Sequence, residues 1–446
     1  MIAGVVHMTS KVIHGFTSRK VPKFPFRAFD TSIPTLYVGC SKDRSHNLLV
    51  LVDPSQPCIV QILGRCGDRQ AEEEALLWRY SPTRWKKTPP IVVPSFDRRI
   101  LDVPTINIDP EGCRDIDDCI SVWNDGVTHI AITIADVHAW VDKNPWMLGA
   151  ASIGQTFYKD GRVKIPMLPS ELSDNLMSLI PGEKRLGLAL IFEWNGQILN
   201  PRFEQIVLIN KRSCTYDKVE GIDVDILRGC ASFLAGAPLD DPHDWVEQYM
   251  LFYNRTAAET LKNGVFRGHA PADATKLEQY RNMGADVEKL AYSAGIYSTE
   301  PIPHWGLNME KYCHASSPIR RWADVVNQGS LKGCYVPFDL ETLNKMSKHA
   351  KKYERDLFFL ERLFCAQHAL DGIVLDSTDR TRVWVPEWKR IITVRNWFGD
   401  AGTRVKLTYF IDMGAPTWKK RLVFRCEGTG CPEQQRPAQS SVECLA

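Results

Sequence analysis

A dense group of carboxylates marks the stretch from Asp109 to Asp118. Asp109, Asp115, Asp117 and Asp118 fall within ten residues, directly before an apolar segment that begins at Ile120. Four carboxylates on one bend repel each other, and hard divalent cations such as Mg²⁺ offset that repulsion. Two such ions can bind both the attacking and the leaving oxygen of a phosphodiester. The stretch therefore predicts either a metal site for phosphodiester chemistry or a solvated acidic turn, and its spacing does not fit an EF-hand loop.

The elements that must position these carboxylates are predicted from apolar periodicity. Strands are predicted at residues 35–38, 48–52, 58–63, 120–122, 129–135, 382–385, 390–394, 405–410 and 421–424. One helix is predicted from Asp244 to Lys262, with Asp244 as its N-cap. A second is predicted from Asp339 to Leu370, stopped by Gly372. The pattern is that of an α+β protein.

Five consecutive segments are predicted along the chain. Residues 1–82 form a small OB-type β module, because short apolar runs alternate there with turn residues. Residues 83–104 are a proline-rich linker. Residues 105–372 form a mixed α/β domain, and residues 373–430 form a second, abbreviated OB-type module. The polar residues 431–446 form a tail. The predicted fold class is thus a mixed α/β domain flanked by small β-barrel modules.

Composition restricts the function without naming it. The chain has 446 residues, enough for two to four domains, and no apolar run long enough to span a bilayer. A net charge of only +2 means that any nucleic-acid binding depends on local basic clusters. Residues 1–29 lack Asp and Glu but carry five basic residues. This segment favours a basic edge that faces a nucleic acid. A cytoplasmic location is predicted, with organellar import as the alternative that the segment leaves open.

Cysteines do not indicate a zinc site. The 13 Cys include no CxxC pair, and no His lies at zinc-finger spacing from any of them. Cys426 and Cys431 are the closest candidates for a pair. We predict reduced thiols in a reducing compartment.

Four motifs, in a fixed order, resemble those of one known family. Residues 109–118 carry Asp-Pro followed by Asp-x-Asp-Asp, which resembles the active-site signature of the ribonuclease II (RNB) family. Residues 129–137 end in Ile-Ala-Asp-Val, residues 164–169 contain Ile-Pro-Met-Leu-Pro, and residues 317–324 read Ser-Pro-Ile-Arg-Arg-Trp-Ala-Asp. Each is similar to a segment of that family. The resemblance covers roughly residues 105–372, the predicted RNB catalytic domain.

The resemblance implies roles for the acidic residues. Asp109, Asp115 and Asp118 are expected to bind Mg²⁺, with Mn²⁺ as an alternative and two ions expected. Asp117 is expected to be the essential catalytic carboxylate. Arg320 is expected to stabilise the phosphate in the transition state.

Further residues are assigned by the same resemblance. Ser317-Pro318 predicts a helix start with Ser317 as N-cap, which would put Arg320 in the first turn, where the helix dipole favours a phosphate. Tyr158 is expected to stack on the terminal base, although its spacing is one residue longer than usual and a core tyrosine is the alternative. Arg321 is expected to contact RNA. Glu354 is expected to act near the last nucleotides, the alternative being an ordinary glutamate on a solvated helix face.

The flanking modules fit the same family but are shortened. Residues 26–34 and 63–68 resemble its cold-shock OB domain, of which only one copy fits before residue 83 where two are usual. Asn327-Gln328 departs from a usual His-Arg. The shortened modules put tight anchoring and processivity on long substrates in doubt, whereas the departure at Asn327-Gln328 carries no assigned effect.

The function that the resemblance implies is 3′-to-5′ hydrolysis of single-stranded RNA to nucleoside 5′-monophosphates, by a metal-activated water in line with the departing 3′ oxygen. The expected partner is single-stranded RNA, and no membrane is involved. Two rivals remain: a catalytically weak or inactive RNB-fold protein that binds or scaffolds RNA, and an OB-fold RNA chaperone acting through the chain ends.

Overall fold

The structure, a computed structural model, describes residues 1–415 and 417–427. The predicted tail and Cys431 lie outside the described residues. The described chain divides into two compact units. The terminal unit comprises residues 1–82 and 272–293 together with the described residues from 351 onward, and the central unit comprises residues 83–271 and 294–350. This division follows contacts rather than consecutive residues, and the predicted linear domain boundaries stay a prediction.

Helices and strands are mixed along the chain. The strands are β1 (Ile2–Val6), β2 (Lys23–Ala28), β3 (Leu36–Gly39), β4 (Leu48–Asp53), β5 (Cys58–Arg65), β6 (Ile100–Leu101), β7 (Thr105–Ile108), β8 (Asp118–Asn124), β9 (Thr128–Ala135), β10 (Phe157–Lys159), β11 (Arg162–Ile165), β12 (Lys184–Trp194), β13 (Ile198–Ile209), β14 (Arg212–Cys214), β15 (Phe266–Gly268), β16 (Ile296–Ser298), β17 (Leu370–Ser377), β18 (Thr381–Val385), β19 (Arg390–Val394), β20 (Arg404–Ile411) and β21 (Leu422–Glu427). The helices are α1 (Arg69–Tyr80), α2 (Val137–Lys143), α3 (Val224–Ala235), α4 (Pro242–Thr260), α5 (Ala274–Arg281), α6 (Ala285–Glu288), α7 (Trp322–Leu331), α8 (Leu340–Arg362) and α9 (Trp418–Arg421). Shorter helical turns are Pro145–Ser152, Leu172–Leu176, Lys289–Ala291 and Trp305–Leu307. The α+β class predicted from the sequence is confirmed.

The first β module is a five-stranded antiparallel sheet in the order β3-β2-β1-β4-β5. Alternate residues of its strands, such as Phe24 and Phe26, point into one fully buried cluster with Val38 and Val50. The helix α1 follows, and Asp68 caps its first turn by accepting a hydrogen bond from the Ala71 N–H at 2.8 Å. The strands predicted in this module are confirmed.

The last β module is a closed barrel in the order β17-β18-β19-β21-β20. Its predicted strands are confirmed. The helix predicted from Asp339 to Leu370 exists as α8, but its predicted end is wrong, because α8 ends at Arg362 and β17 begins at Leu370. Gly372 lies inside this strand rather than at a helix end. A Cβ there would lie 2.5 Å from the Cγ1 atom of Val383, so close packing inside the barrel requires glycine.

A buried charge joins the first and last modules within the terminal unit. Glu72 on α1 is fully buried and accepts hydrogen bonds from the Gly67 N–H at 2.8 Å and from Nε1 of Trp418 at 2.9 Å. Its other close partner is Arg421, 1% exposed, whose Nη1 lies 2.9 Å from the carboxylate. These contacts hold together segments 346 positions apart in the chain.

The central unit is built on a seven-stranded sheet in the order β14-β7-β8-β9-β12-β13-β6. Alternation along β9 decides which face each residue covers. Ile130, Ile132 and Ile134 pack on one face with side chains of α3 and α4, whereas Ala131 and Ala135 pack on the other face with side chains of α2 and α7. Both faces of the central strands are therefore buried, which contributes about 2 kcal/mol for each isoleucine.

The helix predicted from Asp244 to Lys262 exists but begins earlier. The helix α4 spans Pro242–Thr260, and its N-cap is Asp241, which accepts a hydrogen bond from the His243 N–H at 2.8 Å. Asp244 lies in the first turn instead. Proline at the first helical position explains the shift, because its missing N–H needs no partner there.

Candidate active site

The acidic stretch connects β7 to β8, which are neighbouring strands of the central sheet. The strands β7 and β8 pair antiparallel, with Thr105 opposite Ser121 and Ile106 opposite Ile120. Asp109 directly follows β7, and Asp118 is the first residue of β8. The carboxylates therefore meet because a strand pair brings the two ends of the stretch together.

Asp109 and Asp118 form the more crowded part of the cluster. Asp109 follows β7 directly, its N–H donates to the Cys214 carbonyl at 3.1 Å, and its Oδ2 accepts from Nδ2 of Asn107 at 2.8 Å. Burial raises the pKa of Asp109 despite that hydrogen bond. Burial also raises the pKa of Asp118 well above its usual range, and the charges on Asp109 and Asp117 raise it further. Two close carboxylates of this kind favour a nearby cation.

Asp117 is held from two sides and is only 4% exposed. Its Oδ1 accepts from the Ile319 N–H at 2.9 Å, and its Oδ2 accepts from Nε of Arg320 at 3.2 Å. Burial raises the pKa of Asp117 to about 7, although both donors oppose the rise. The predicted catalytic carboxylate and the predicted phosphate-binding arginine are thus direct partners.

Asp115 accepts hydrogen bonds from donors other than those of Asp117. Its Oδ2 accepts from the Tyr158 hydroxyl at 2.7 Å, and its Oδ1 lies 3.7 Å from Sγ of Cys113. Burial and the Asp115 charge raise the pKa of Tyr158, so its hydroxyl stays a donor. The structure therefore brings Tyr158 to the acidic stretch through its polar end.

A β-bulge accounts for the extra residue after Tyr158. The strands β10 and β11 pair Phe157 with Ile165 and Tyr158 with Val163, so Lys164 is left over between the paired positions. A bulge absorbs one additional residue without ending the ladder. The longer spacing noted in the sequence therefore does not displace Tyr158 from the hairpin.

Arg320 lies in a turn that precedes a helix. The predicted helix start at Ser317-Pro318 is wrong, because α7 begins at Trp322. The N–H groups of Arg320 and Arg321 both donate to the Ser317 carbonyl, which closes a tight turn, and Ser317 itself donates its N–H to Asp324 at 2.7 Å. The side chain of Arg320 also bonds the Ser317 hydroxyl at 3.0 Å, and 49% of it stays exposed. Its position therefore comes from the turn and from Asp117, not from a helix dipole.

Arg321 points in a different direction from Arg320. Its Nη2 donates to Oδ1 of Asp324 at 2.8 Å, and 25% of its side chain is exposed. Despite burial, the Asp324 carboxylate raises the pKa of Arg321. A contact between Arg321 and RNA stays a prediction.

Glu354 lies on α8, in the stretch that belongs to the terminal unit. The carboxylate cluster belongs to the central unit, so the role of Glu354 near the last nucleotides also stays a prediction.

Tyr216 is a site residue that the sequence analysis missed. It lies two residues beyond β14, which pairs parallel to β7 with Cys214 opposite Ile108. Its ring stacks on that of His243, with centroids 3.5 Å apart. Burial, followed by the charges on Asp109 and Asp118, raises the pKa of Tyr216 to about 12. The β14–β7 pairing brings Tyr216 to the carboxylates. No local pattern predicts a pairing between strands that are more than a hundred residues apart in the chain.

Asn327 and Gln328, the residues that depart from the expected His-Arg, have structural partners. Both are fully buried. Asn327 bonds the N–H and the carbonyl of Val265 at 2.8 Å each, and Gln328 donates to the Ala135 carbonyl at 2.8 Å and accepts from the His138 N–H at 3.3 Å. These amides satisfy backbone groups that would otherwise be buried without partners.

The donor atoms of the carboxylate cluster indicate which metal ion suits it. Among residues 1–415 and 417–427, no three His, Cys, Asp or Glu side chains converge on one point as a metal-binding group. Mg²⁺, however, is commonly held by one or two carboxylates together with substrate phosphate and water. Asp109 and Asp118 are hard oxygen donors whose charges act on each other, so they fit such an ion. The predicted third ligand, Asp115, is instead bonded by Tyr158.

Two other features concern the described residues as a whole. Each helix in the described part is either too short or too polar to cross a lipid bilayer. The described cysteines, Cys426 among them, are free thiols.

Comparison with known proteins gives consistent matches. Ribonuclease R of Chlamydia pneumoniae is 28% identical over 316 residues, which cover 51% of this chain and 46% of that protein. The chain thus spans about half the length of the curated relatives it first matches. The structure of Mycoplasma genitalium RNase R in complex with ribose-methylated single-stranded RNA has a TM-score of 0.72 at 16% identity and covers 95% of this chain and 89% of that chain. Yeast Ssd1, described as a pseudonuclease, has a TM-score of 0.66 at 14% identity, covering 92% of this chain and 67% of that chain.

At such identities the two solved structures establish a shared fold and nothing more. The family itself follows from a sequence match, since the RNB domain family model matches residues 98–223 and 228–335, more than half of the chain. Those ranges contain the carboxylate cluster, Tyr158, Tyr216 and Arg320. The chain belongs to the RNB domain family.

Proposed function

We propose that the protein is a 3′-to-5′ hydrolytic exoribonuclease that degrades single-stranded RNA to nucleoside 5′-monophosphates with a divalent metal. The observation that carries the proposal is the contact between Asp117 and Arg320 beside the partly buried pair Asp109 and Asp118. A carboxylate pair that suits a cation and a half-exposed guanidinium are what a negatively charged phosphodiester needs on its two sides.

Asp117 and Arg320 have different roles at the phosphodiester. The bond from Nε to Asp117 fixes the guanidinium plane, while much of the Arg320 side chain remains exposed to bind a phosphate oxygen. Each Asp117 oxygen has one hydrogen-bond partner, so an acceptor site on that carboxylate remains for the attacking water. Asp117 can therefore orient both its arginine partner and the nucleophile.

Asp109 and Asp118 are the residues that would hold the divalent ion. When bound, such an ion neutralises the phosphate and lowers the pKa of a coordinated water. We propose that two such ions bind and that Asp115 joins Asp109 and Asp118 in holding them.

The relatives support the substrate class. Several curated relatives carry the name ribonuclease R, and a neighbour of the same fold was solved with single-stranded RNA. On this basis we assign single-stranded RNA as the substrate and expect Tyr158 to stack on a base. The compartment we propose is the cytoplasm.

An RNA-binding protein without nuclease activity is the second candidate, because one neighbour of the same fold is described as a pseudonuclease. The cluster argues against it here. A binder gains nothing from holding Asp109, Asp117 and Asp118 close together and partly or fully buried, since the repulsion costs stability without improving RNA contacts.

One experiment separates the two candidates. A 5′-labelled single-stranded RNA is incubated with Mg²⁺ and the protein, beside an Asp117→Asn variant and an Asp125→Asn control at an exposed carboxylate. The proposal predicts a shortening ladder and released nucleoside 5′-monophosphates for the parent and the control, with RNA binding but no shortening for Asp117→Asn. Intact RNA in every lane, with binding retained, would identify the non-catalytic protein.

A further inference from the structure

A short chain of amide groups leads from the protein interior to the carboxylate of Asp109. Asn107, 2% exposed, donates from Nδ2 to Oδ2 of Asp109 at 2.8 Å. Its Oδ1 accepts from Nδ2 of Asn210 at 2.8 Å and from the hydroxyl of Ser213 at 2.8 Å. No part of this chain follows from the acidic motif itself, because Asn210 lies between β13 and β14 and Ser213 lies in β14.

The two donors on Oδ1 determine which way the Asn107 amide faces. A flipped amide would turn its NH₂ group toward the NH₂ group of Asn210 and its oxygen toward the Asp109 carboxylate, which loses both of those hydrogen bonds. The amide therefore presents its N–H to Asp109 in a single orientation.

Asn210 is itself fully engaged. Besides Asn107, its Nδ2 donates to the Leu179 carbonyl at 2.7 Å, and its Oδ1 accepts from the Arg212 N–H at 3.1 Å. At 1% exposure it has no water to exchange for these partners. These bonds fix the Asn210 end of the network. At the other end, Nδ2 of Asn107 donates to the carboxylate of Asp109.

We infer that Asn107, held by Asn210 and Ser213, is a positioning residue that fixes the Asp109 carboxylate for a divalent cation. The inference rests on the proposed assignment of Asp109 to the metal. Its physical basis is that a ligating carboxylate gains affinity when a second hydrogen bond fixes its rotation, and loss of such a partner typically costs about 10- to 100-fold in metal affinity.

The test compares Asn107→Leu with Asn144→Leu. Leucine has nearly the shape of asparagine but forms no hydrogen bonds. Asn144 is a matched control because it is 1% exposed and its amide bonds only backbone groups of Val92 and Trp140. Mn²⁺ binding is measured without RNA from the electron paramagnetic resonance signal of the free ion. The Mg²⁺ concentration for half-maximal RNA shortening is measured separately.

We expect Asn107→Leu to weaken Mn²⁺ binding about tenfold or more and to raise the half-saturating Mg²⁺ concentration equally, with the rate at saturating Mg²⁺ largely preserved. Asn144→Leu lowers stability but leaves both metal readouts at the parent value. Should Asn107→Leu fail to fold, Ser213→Ala removes one donor from the network and gives a smaller change in the same direction.

Equal Mn²⁺ binding by Asn107→Leu and the parent would overturn the inference, as would an equal loss in Asn144→Leu. A parent protein that binds no Mn²⁺ would overturn it as well. A parent that binds Mn²⁺ tightly, loses it in Asn107→Leu and yet leaves RNA intact would uphold the inference while removing the proposed nuclease activity.

Discussion

Arg320 donates a hydrogen bond from Nε to Oδ2 of Asp117 at 3.2 Å, although 203 positions separate the two residues in the chain. Asp117 is 4% exposed, whereas half of the Arg320 side chain reaches solvent. A buried carboxylate therefore anchors a guanidinium whose outer part stays available. The anchor also relies on Ser317, whose hydroxyl accepts from Arg320 at 3.0 Å.

Replacing Arg320 with lysine should distinguish the contribution of its charge to the rate from the contribution of its planar shape. Lysine keeps the positive charge but cannot hold Asp117 and Ser317 while also binding a phosphate oxygen through a planar fork. We expect single-turnover shortening of 5′-labelled RNA to slow by about 100-fold, the size typical for loss of one positioned charge-stabilising donor. Arg162→Lys, on the hairpin β10–β11, is the control and should shorten RNA at the parent rate. A parent-like rate for Arg320→Lys would mean that charge alone suffices.

Much of the central sheet could be predicted from the sequence, because its signal is local. The run from Ile130 to Ala135 alternates isoleucine with the small residues alanine and threonine, as expected for a strand buried on both faces, and it is part of β9. The acidic stretch was likewise visible as a feature directly before a predicted strand. Local patterns of this kind can be recognised in the sequence because the burial of each side chain depends on its own position in the strand.

The features of the fold and the site that were not predicted depend on contacts between residues that are distant in the sequence. Ser317-Pro318 has the composition of a helix start, yet the tight turn on the Ser317 carbonyl and the bond to Asp324 delay the helix to Trp322. Gly372 has the composition of a helix stop, yet it serves the packing of a barrel strand. Tyr216 reaches the carboxylates only through a parallel pairing that no local pattern encodes.

Two substitutions of Tyr158 should distinguish a stacking ring from a bonding hydroxyl. Tyr158→Phe keeps the ring and removes the 2.7 Å bond to Asp115, whereas Tyr158→Ala removes both. If the ring stacks on a base, Phe retains the parent RNA affinity to within about twofold, and Ala loses about tenfold, consistent with 1–3 kcal/mol per stacked base. Filter binding with a short single-stranded RNA measures both. An equal loss in the two variants would assign the effect to the Asp115 bond instead.

Glu72 should matter for stability rather than for RNA. Its carboxylate is fully buried against Arg421 and Trp418, so Glu72→Gln leaves the Arg421 charge buried without a counter-charge. Removing one partner of a buried pair costs about 3 kcal/mol or more. Chemical unfolding followed by fluorescence measures the loss. The adjacent Glu73→Gln should cost less than about 1 kcal/mol, because Glu73 pairs with the exposed Arg69. Similar losses in both variants would contradict a special role for the buried pair.

His304 should make the protein sensitive to mild acid. Its ring lies 4.4 Å from that of His269, and its Nδ1 has no hydrogen-bond partner among the described residues. Burial, followed by the His269 charge, lowers the pKa of His304 to about 4. The folded protein thus keeps this imidazole neutral, while the unfolded chain binds a proton near pH 6.5. The resulting stability is complete above that value and is lost as the pH falls toward 4.

The corresponding variant is His304→Phe, which removes the titrating group and keeps an aromatic ring. We expect the drop in melting temperature between pH 7 and pH 5 to be smaller in this variant than in the parent, because one group no longer takes up a proton on unfolding. Some drop remains, since burial also lowers the pKa of His314. His14→Phe, at an exposed ring that stacks on Tyr37, is the control and keeps the parent drop. An unchanged drop in His304→Phe would mean that this imidazole titrates alike in the folded and unfolded chain, and the acid sensitivity would then have to come from other groups.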